Sequence, residues 1–194
     1  MRGWNVYGYI LKAYDEGKYE LTQKEIALNL KCSLNTVNYS LKPLMRMGAI
    51  EKHNRGFRVI DAIKIMIHMA NVYNISWESM YVRAPVEDIE SGMPPGLYTA
   101  FSGAKIYYGI EPADYDKVFF FGNCDEVLRR FGGKTFRDDI LIKNNVFCSM
   151  TPPYLKNENK TPLFQIYVDL WNLPYWYSRE FLNKVYEEIE KRWI

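Results

Sequence analysis

The stretch from Leu21 to Ile60 narrows most sharply what this chain can fold into. Thr22-Gln-Lys-Glu25 has the spacing of a capping box, in which the hydroxyl holds the amide of Glu25 and the glutamate reaches back. Ile26, Ala27 and Leu30 then predict a short helix with one apolar side. Lys31-Cys32 reads as a tight turn, and Ser33 is a good N-cap for a helix from Leu34 to about Met47, with Gly48 placed to stop it. Two short strands follow, Ala49–His53 and Phe57–Ile60, around Asn54-Arg55-Gly56. A helix over Trp4–Tyr14, ended by Gly17, comes before the whole set. Helix, helix, turn, helix, hairpin is the order of a winged helix-turn-helix, expected here over residues 1–60.

In the helix that begins at Leu34, Val37, Leu41 and Leu44 share the core face. A turn of about 100° per residue puts Asn35, Tyr39, Lys42 and Arg46 on the far side, flanked by Thr36 and Asn38. Such a set suits a duplex groove: amides pair with adenine edges, a threonine methyl meets thymine, and Lys and Arg reach guanine or phosphate. The first turn of a recognition helix sits deepest, so Asn35, Thr36, Asn38 and Tyr39 are the expected base contacts and Lys42 and Arg46 the backbone contacts. Pro43 removes one helix amide near the end. The hairpin offers Lys52, His53, Asn54, Arg55 and Arg58, with Arg55 at the tip for the minor groove or its phosphates. Charge agrees: residues 1–60 hold ten Lys/Arg against five Asp/Glu, a net +5, while the remainder holds fifteen against eighteen, a net −3. The expected function is sequence-specific binding of double-stranded DNA by a transcriptional regulator, with a homodimer as the usual way to gain affinity. An ordinary solvated helix face, or a winged helix that docks proteins, remains the alternative.

Asp61–Tyr73 is an apolar helical stretch and is expected as a connecting helix (61–75). Residues 76–194 predict a mixed α and β domain: strands at Glu78–Val86, Lys117–Phe121 and Asp139–Ile142, with helices at Val86–Ser91, Leu97–Tyr108, Asp125–Phe131, Pro162–Leu173 and Ser178–Trp193. The fold class is therefore α+β, an N-terminal winged helix-turn-helix followed by a mixed α/β C-terminal domain. No apolar run approaches the roughly 20 residues of a membrane span. The opening MRGWNVYGYI lacks the apolar core and cleavage site of a secretory signal. Cys32, Cys124 and Cys148 are far apart and show no CxxC, which argues against a disulfide framework and a zinc site and for a cytoplasmic protein.

The run Leu21-Thr-Gln-Lys-Glu-Ile-Ala, Cys32-Ser-Leu-Asn-Thr-Val-Asn, Leu41-Lys-Pro-Leu and Gly48-Ala-Ile resembles the winged helices of bacterial and archaeal regulators generally. Gly96-Leu-Tyr-Thr-Ala-Phe-Ser-Gly-Ala-Lys, followed by Tyr108-Gly109, resembles the "tyrosine, small, small, glycine" helix of AbiEi-type proteins, the antitoxin and regulator halves of abortive-infection toxin–antitoxin pairs. Asn145-Val-Phe and Thr161-Pro-Leu-Phe-Gln-Ile-Tyr-Val-Asp-Leu-Trp-Asn resemble that family's "serine-proline-x-gln-x-tyr-x-asp-leu" helix. Ser178-Arg-Glu stands where members often carry a Gly-Arg-rich turn; here Tyr175-Trp176-Tyr177 replaces the glycines. The resemblance spans nearly the whole chain. It implies a prokaryotic DNA-binding autorepressor whose second domain is antitoxin-like and accompanies a nucleotidyltransferase-like toxin.

An enzyme reading rests on Ser102-Gly103, Asp114-x-Asp116 and Asp139, since nucleotidyltransferases hold a Gly-Ser turn ahead of carboxylates that grip metal ions. Here the order is Ser-Gly, the Asp pair lies in a loop that contains Pro112, and no basic grip for a triphosphate is evident. A solvated acidic turn is the simpler account, and no catalytic residue, metal or cofactor is expected. Asp169 reads either as a buried hydrogen-bonding group or as exposed. Trp171, Tyr175, Trp176 and Tyr177 read as a core plug before an interface. His53 and His68 lack partners at metal-ligand spacing, and Gly132-Gly-Lys134 lacks the context of a phosphate loop.

Overall fold

The computed structural model describes residues 3–132 and 144–193. The chain divides into two compact units, Met1–Tyr73 with Arg192–Ile194, and Asn74–Lys191.

The first unit runs α1 (Trp4–Asp15), β1 (Glu20–Leu21), α2 (Gln23–Leu30), α3 (Leu34–Arg46), β2 (Ile50–His53), β3 (Gly56–Val59) and α4 (Ala62–Val72). The three strands form an antiparallel sheet in the order β1-β3-β2. The start of α2 uses half of the expected capping box. Thr22 accepts from the amide of Glu25 at 3.1 Å, while the Glu25 carboxylate takes Tyr9 (3.2 Å) and Lys18. Side chains from α1 and the loop after it thus replace the backward reach. Ser33 caps α3, accepting from the Thr36 amide at 3.1 Å, and Gly48, at φ +68°, follows its last turn. Asp61 caps α4 through the amide of Lys64 at 2.9 Å.

The core of this unit is Val6, Ile10, Leu11, Leu21, Ile26, Val37, Leu44, Phe57, Ile65, Met66 and Met69, all buried. A helix read from the sequence as a connector is instead part of that core: α4 packs on α1, with Trp4 edge-on to Tyr73 at 4.8 Å and Tyr7 edge-on to His68 at 5.0 Å. Its apolar residues surround enough of its circumference to demand burial, and α1 supplies the surface. β1 escaped the sequence reading because two residues carry no periodicity.

The second unit contains β4 (Glu78–Met80), α5 (Val86–Gly92), β5 (Leu97–Thr99), α6 (Ala100–Tyr108), β6 (Val118–Phe121), α7 (Cys124–Phe131), β7 (Val146–Ser149), a 3-10 turn (Pro153–Leu155), α8 (Leu163–Trp171) and α9 (Ser178–Trp193). Its sheet has the order β4-β7-β6-β5, with the central β6–β7 pair parallel and both outer pairs antiparallel. Both central strands are buried along their whole length, as expected where helices cover both faces. Alternation sorts their side chains. Val118, Phe120, Val146 and Cys148 join Ile89 of α5 and Val127 of α7 in one cluster. On the other face, Phe119 stacks on Phe147 at 4.6 Å and meets Phe101 of α6 at 6.0 Å.

Several sequence-based expectations change here. Leu97–Tyr108 is not one helix: Leu97–Thr99 pairs with β6, and the chain turns into α6 at Ala100, which sits at φ +49°. Gly103 lets α6 lie against β5, since a Cβ there would come within 2.9 Å of the Tyr98 carbonyl oxygen. The strand expected over Glu78–Val86 stops at Met80, because the Asn145 side chain takes over both polar groups of Val82 (2.8 and 2.9 Å). β7 is a strand where the sequence reading placed no element. The expected strand Asp139–Ile142, with Asp139 itself, and Gly133-Lys134 of the Gly-Gly-Lys run lie outside the described residues. No helix among the described residues is long and apolar enough to cross a membrane.

Candidate nucleic-acid interface

α3 turns Val37, Ser40, Leu41 and Leu44 inward, and exposes Asn35, Asn38, Tyr39, Lys42 and Arg46. Tyr39 is 75 % exposed, and the Lys42 ammonium lies 5.5 Å from its ring centroid. Tyr39, Lys42, Pro43, Met45 and Arg46 line a shallow hollow on this side of the helix. The helix continues through Pro43 to Arg46. Thr36 differs from its neighbours: it is half-buried, and its hydroxyl lies 2.9 Å from that of the N-cap Ser33. A base contact from Thr36 would have to compete with the cap.

The hairpin pairs His53 with Gly56, leaving Asn54 and Arg55 as a two-residue tip. The His53 ring accepts from the Arg55 amide through Nδ1 at 3.4 Å, so His53 shapes the turn. Lys52, Arg55 and Arg58 are all exposed. Their surroundings differ. Arg58, on the central strand, stands in register with Glu20 on one side and Glu51 on the other. Opposite charges at such cross-strand positions attract, but neither glutamate forms an ion pair with Arg58. Lys42, Arg46, Lys52 and Arg55 make no ion pair among the described residues, whereas Lys12 and Lys18 are tied to Glu16 and Glu25. Of the unit's cations without an ion pair among the described residues, Lys24 and Lys31 lie on and just after α2, and Lys42, Arg46, Lys52, Arg55 and Arg58 lie on α3 and the hairpin.

Sequence reasoning overlooked the exposed apolar residues of the same segment. Leu28 on α2 is 76 % exposed and Leu34, the first residue of α3, 52 %. Periodicity flagged Leu30, but it carried no reason for a leucine at position 28 to face water.

Polar side chains in the second unit are arranged differently. Thr99 Oγ1 donates to Asp169 at 2.6 Å, Gln165 Nε2 donates to the other Asp169 oxygen at 3.0 Å, and Tyr154 donates to Gln165. All four residues are buried, which settles Asp169 as an interior group. Burial, then the nearby Asp169 charge, pushes the Tyr154 phenol well above its usual range. A second cluster forms where the chain enters β6. Asp116 accepts from Tyr177 (2.6 Å) and pairs with buried Lys117 (2.9 Å), whose ammonium also faces the Tyr175 ring at 5.8 Å. Partial burial raises the Asp116 pKa, but Tyr177 and Lys117 outweigh it and hold the carboxyl below the usual range.

Asp116 is thus engaged by its own neighbours, and no group of three metal-binding side chains forms among the described residues. The aromatic plug is split. Tyr177 is buried and stacks on Tyr175 at 5.6 Å, but Trp176 is 77 % and Trp171 43 % exposed. No family model matches this chain, and neither a curated protein nor a solved structure shows significant similarity to it.

Proposed function

We propose that the first unit is a winged helix-turn-helix that binds double-stranded DNA, with α3 in the major groove and the β2–β3 hairpin as the wing beside it. One observation carries this reading. Asn35, Asn38, Tyr39, Lys42 and Arg46 form an outward polar face that the unit's own packing leaves exposed, next to cations without an internal counter-charge. Lys42, Arg46, Lys52 and Arg55 displace counterions from the phosphates, which supplies affinity and salt dependence. Asn35, Asn38 and Tyr39 supply base contacts, and the second unit receives a partner or places two copies on a symmetric operator. By its sequence resemblance the chain acts as an AbiEi-type regulator and autorepressor, alongside a nucleotidyltransferase-like toxin.

The test is fluorescence anisotropy of the full chain on genomic fragments and on random duplex over a range of salt. Arg55→Ala should weaken both about tenfold and flatten the salt slope by about one. Asn35→Ala should lose about 1–3 kcal/mol on the preferred fragment and little on random duplex. Equal losses on both would remove Asn35 as a base reader.

The exposed Leu28 and Leu34 favour a second reading, a docking surface for another protein. It predicts no binding to any duplex even at low salt.

A further inference from the structure

We propose that Cys124 and Cys148 form an oxidant-sensitive thiol pair, in which a hydroperoxide oxidises Cys124 and Cys148 then closes an intramolecular disulfide. The two cysteines are 24 positions apart in sequence and are brought together by the parallel crossover from β6 through α7 to β7. Cys148 lies on β7, fully buried, and its thiol points back toward the β6–α7 junction, 4.0 Å from the Gly122 carbonyl oxygen. Cys124 is the first residue of α7, only two positions beyond Gly122, and packs half-exposed against the same cluster that contains Cys148. Both side chains therefore meet at the same end of the β6–β7 pair, near enough for each thiol to influence the other's acidity.

The environments divide the two roles. The neighbouring Cys148 lowers the Cys124 pKa against burial and the charges of Glu78 and Asp125, which raise it. Cys148 donates to the Gly122 carbonyl, and the neighbouring Cys124, burial and the same Glu78 push its thiol far up. The thiolate is the reactive form of cysteine, and the first turn of a helix favours negative charge. Cys124 is therefore the residue that is both reachable and activated, and Cys148 is a protonated thiol held beside it.

The chemistry balances in two steps. The Cys124 thiolate attacks the peroxide O–O bond, forming a sulfur–oxygen bond and releasing an alcohol or water once the leaving oxygen takes a proton. The Cys148 sulfur then attacks that sulfenic acid; the sulfur–oxygen bond breaks, and the departing hydroxide leaves as water with the Cys148 proton. The thiol pair loses two electrons in all and the peroxide gains them. A small thiol reductant reverses the disulfide by exchange.

Cys32, half-buried in the other unit, serves as the internal control. The full chain is titrated with hydrogen peroxide and followed by free-thiol count, intact mass and non-reducing peptide mapping. The expected result is a fall from three thiols to one, a loss of two hydrogen masses and a Cys124–Cys148 cross-linked peptide, all reversed by dithiothreitol. In Cys148→Ala, Cys124 should stop at the sulfenic acid and be trapped by dimedone. In Cys124→Ser, the fast phase should slow about tenfold or more, to the rate of Cys32. The wild-type peptide map decides the matter even if a variant misfolds. A product linking Cys32, or Cys124 oxidising no faster than Cys32, would overturn the proposal.

Discussion

Helices α3 and α8 both carry several polar side chains, and they use them in opposite ways. In α3 the polar residues are spaced so that one side is apolar, and Asn35, Asn38, Tyr39, Lys42 and Arg46 face outward. In α8, Leu163, Phe164, Ile166, Tyr167, Val168 and Leu170 surround the axis, so Gln165 and Asp169 have nowhere to go but inward. A helix apolar all round is buried, and its polar residues must then find partners inside. Thr99 and Tyr154 are those partners. Polarity in a helix therefore has no fixed meaning. An outward amide is available to a ligand, while an inward one is committed to the fold.

The comparison can be broken most directly at Asp169. Asp169→Ala should cost about 3 kcal/mol or more, because it strands the Thr99 hydroxyl and the Gln165 amide in the interior. Urea denaturation followed through the aromatic residues of the second unit would measure it. A loss below about 1 kcal/mol would show that the buried chain contributes little beyond packing. On the outward side, Arg58→Ala should change DNA affinity by less than about twofold, against about tenfold for Arg55→Ala, since the carboxylates of Glu20 and Glu51 stand in register on either side of it and repel phosphate. Equal losses in anisotropy would place Arg58 on the phosphates after all.

A smaller effect is expected at the turn between α2 and α3. Lys31 sits at φ 52°, ψ 48°, where a side chain is strained. Lys31→Gly should stabilise the first unit by roughly 0.5 kcal/mol, the relief of strain exceeding the extra freedom of the unfolded chain. Thermal unfolding would detect it. The shallowest effect concerns His68, whose pKa burial holds below the ordinary 6.5. The unfolded chain therefore binds this proton more readily. The contribution is fully present above pH 6.5 and is lost as pH falls from there through the lower folded-state value. His68→Gln, which leaves Tyr7 a hydrogen-bond partner in place of the 3.3 Å contact, should flatten the stability profile between about pH 7 and pH 5. A profile as steep as the parent's would show that other groups set it.

Most of the first unit was legible because its signals are local. The caps at Thr22 and Ser33, the Val37–Leu41–Leu44 spacing and the stop at Gly48 each involve residues within a turn or two of one another. Hence the α2 and α3 positions and the outward face of α3 emerged from the chain alone. What surrounds Thr36 and Arg58 was not legible for the same reason: a hydroxyl at the cap lies beside the one, and two glutamates on neighbouring strands stand in register with the other. The second unit hid more. β5 was swallowed by a helical pattern because three residues before Ala100 carry too little periodicity to declare themselves.

The sequence by itself determined where helices start and stop, which side of each is apolar, and the concentration of positive charge in the first sixty residues. These follow from forces that act over one or two turns of chain. Only tertiary structure decided that Thr99 meets Asp169 across 70 positions, that Cys124 packs on the cluster holding Cys148, and that Arg58 stands in register with Glu20 and Glu51. The physical reason is that such contacts form only after distant segments pack, and the partner each side chain then finds depends on strand order and helix crossing, which no short stretch of residues encodes.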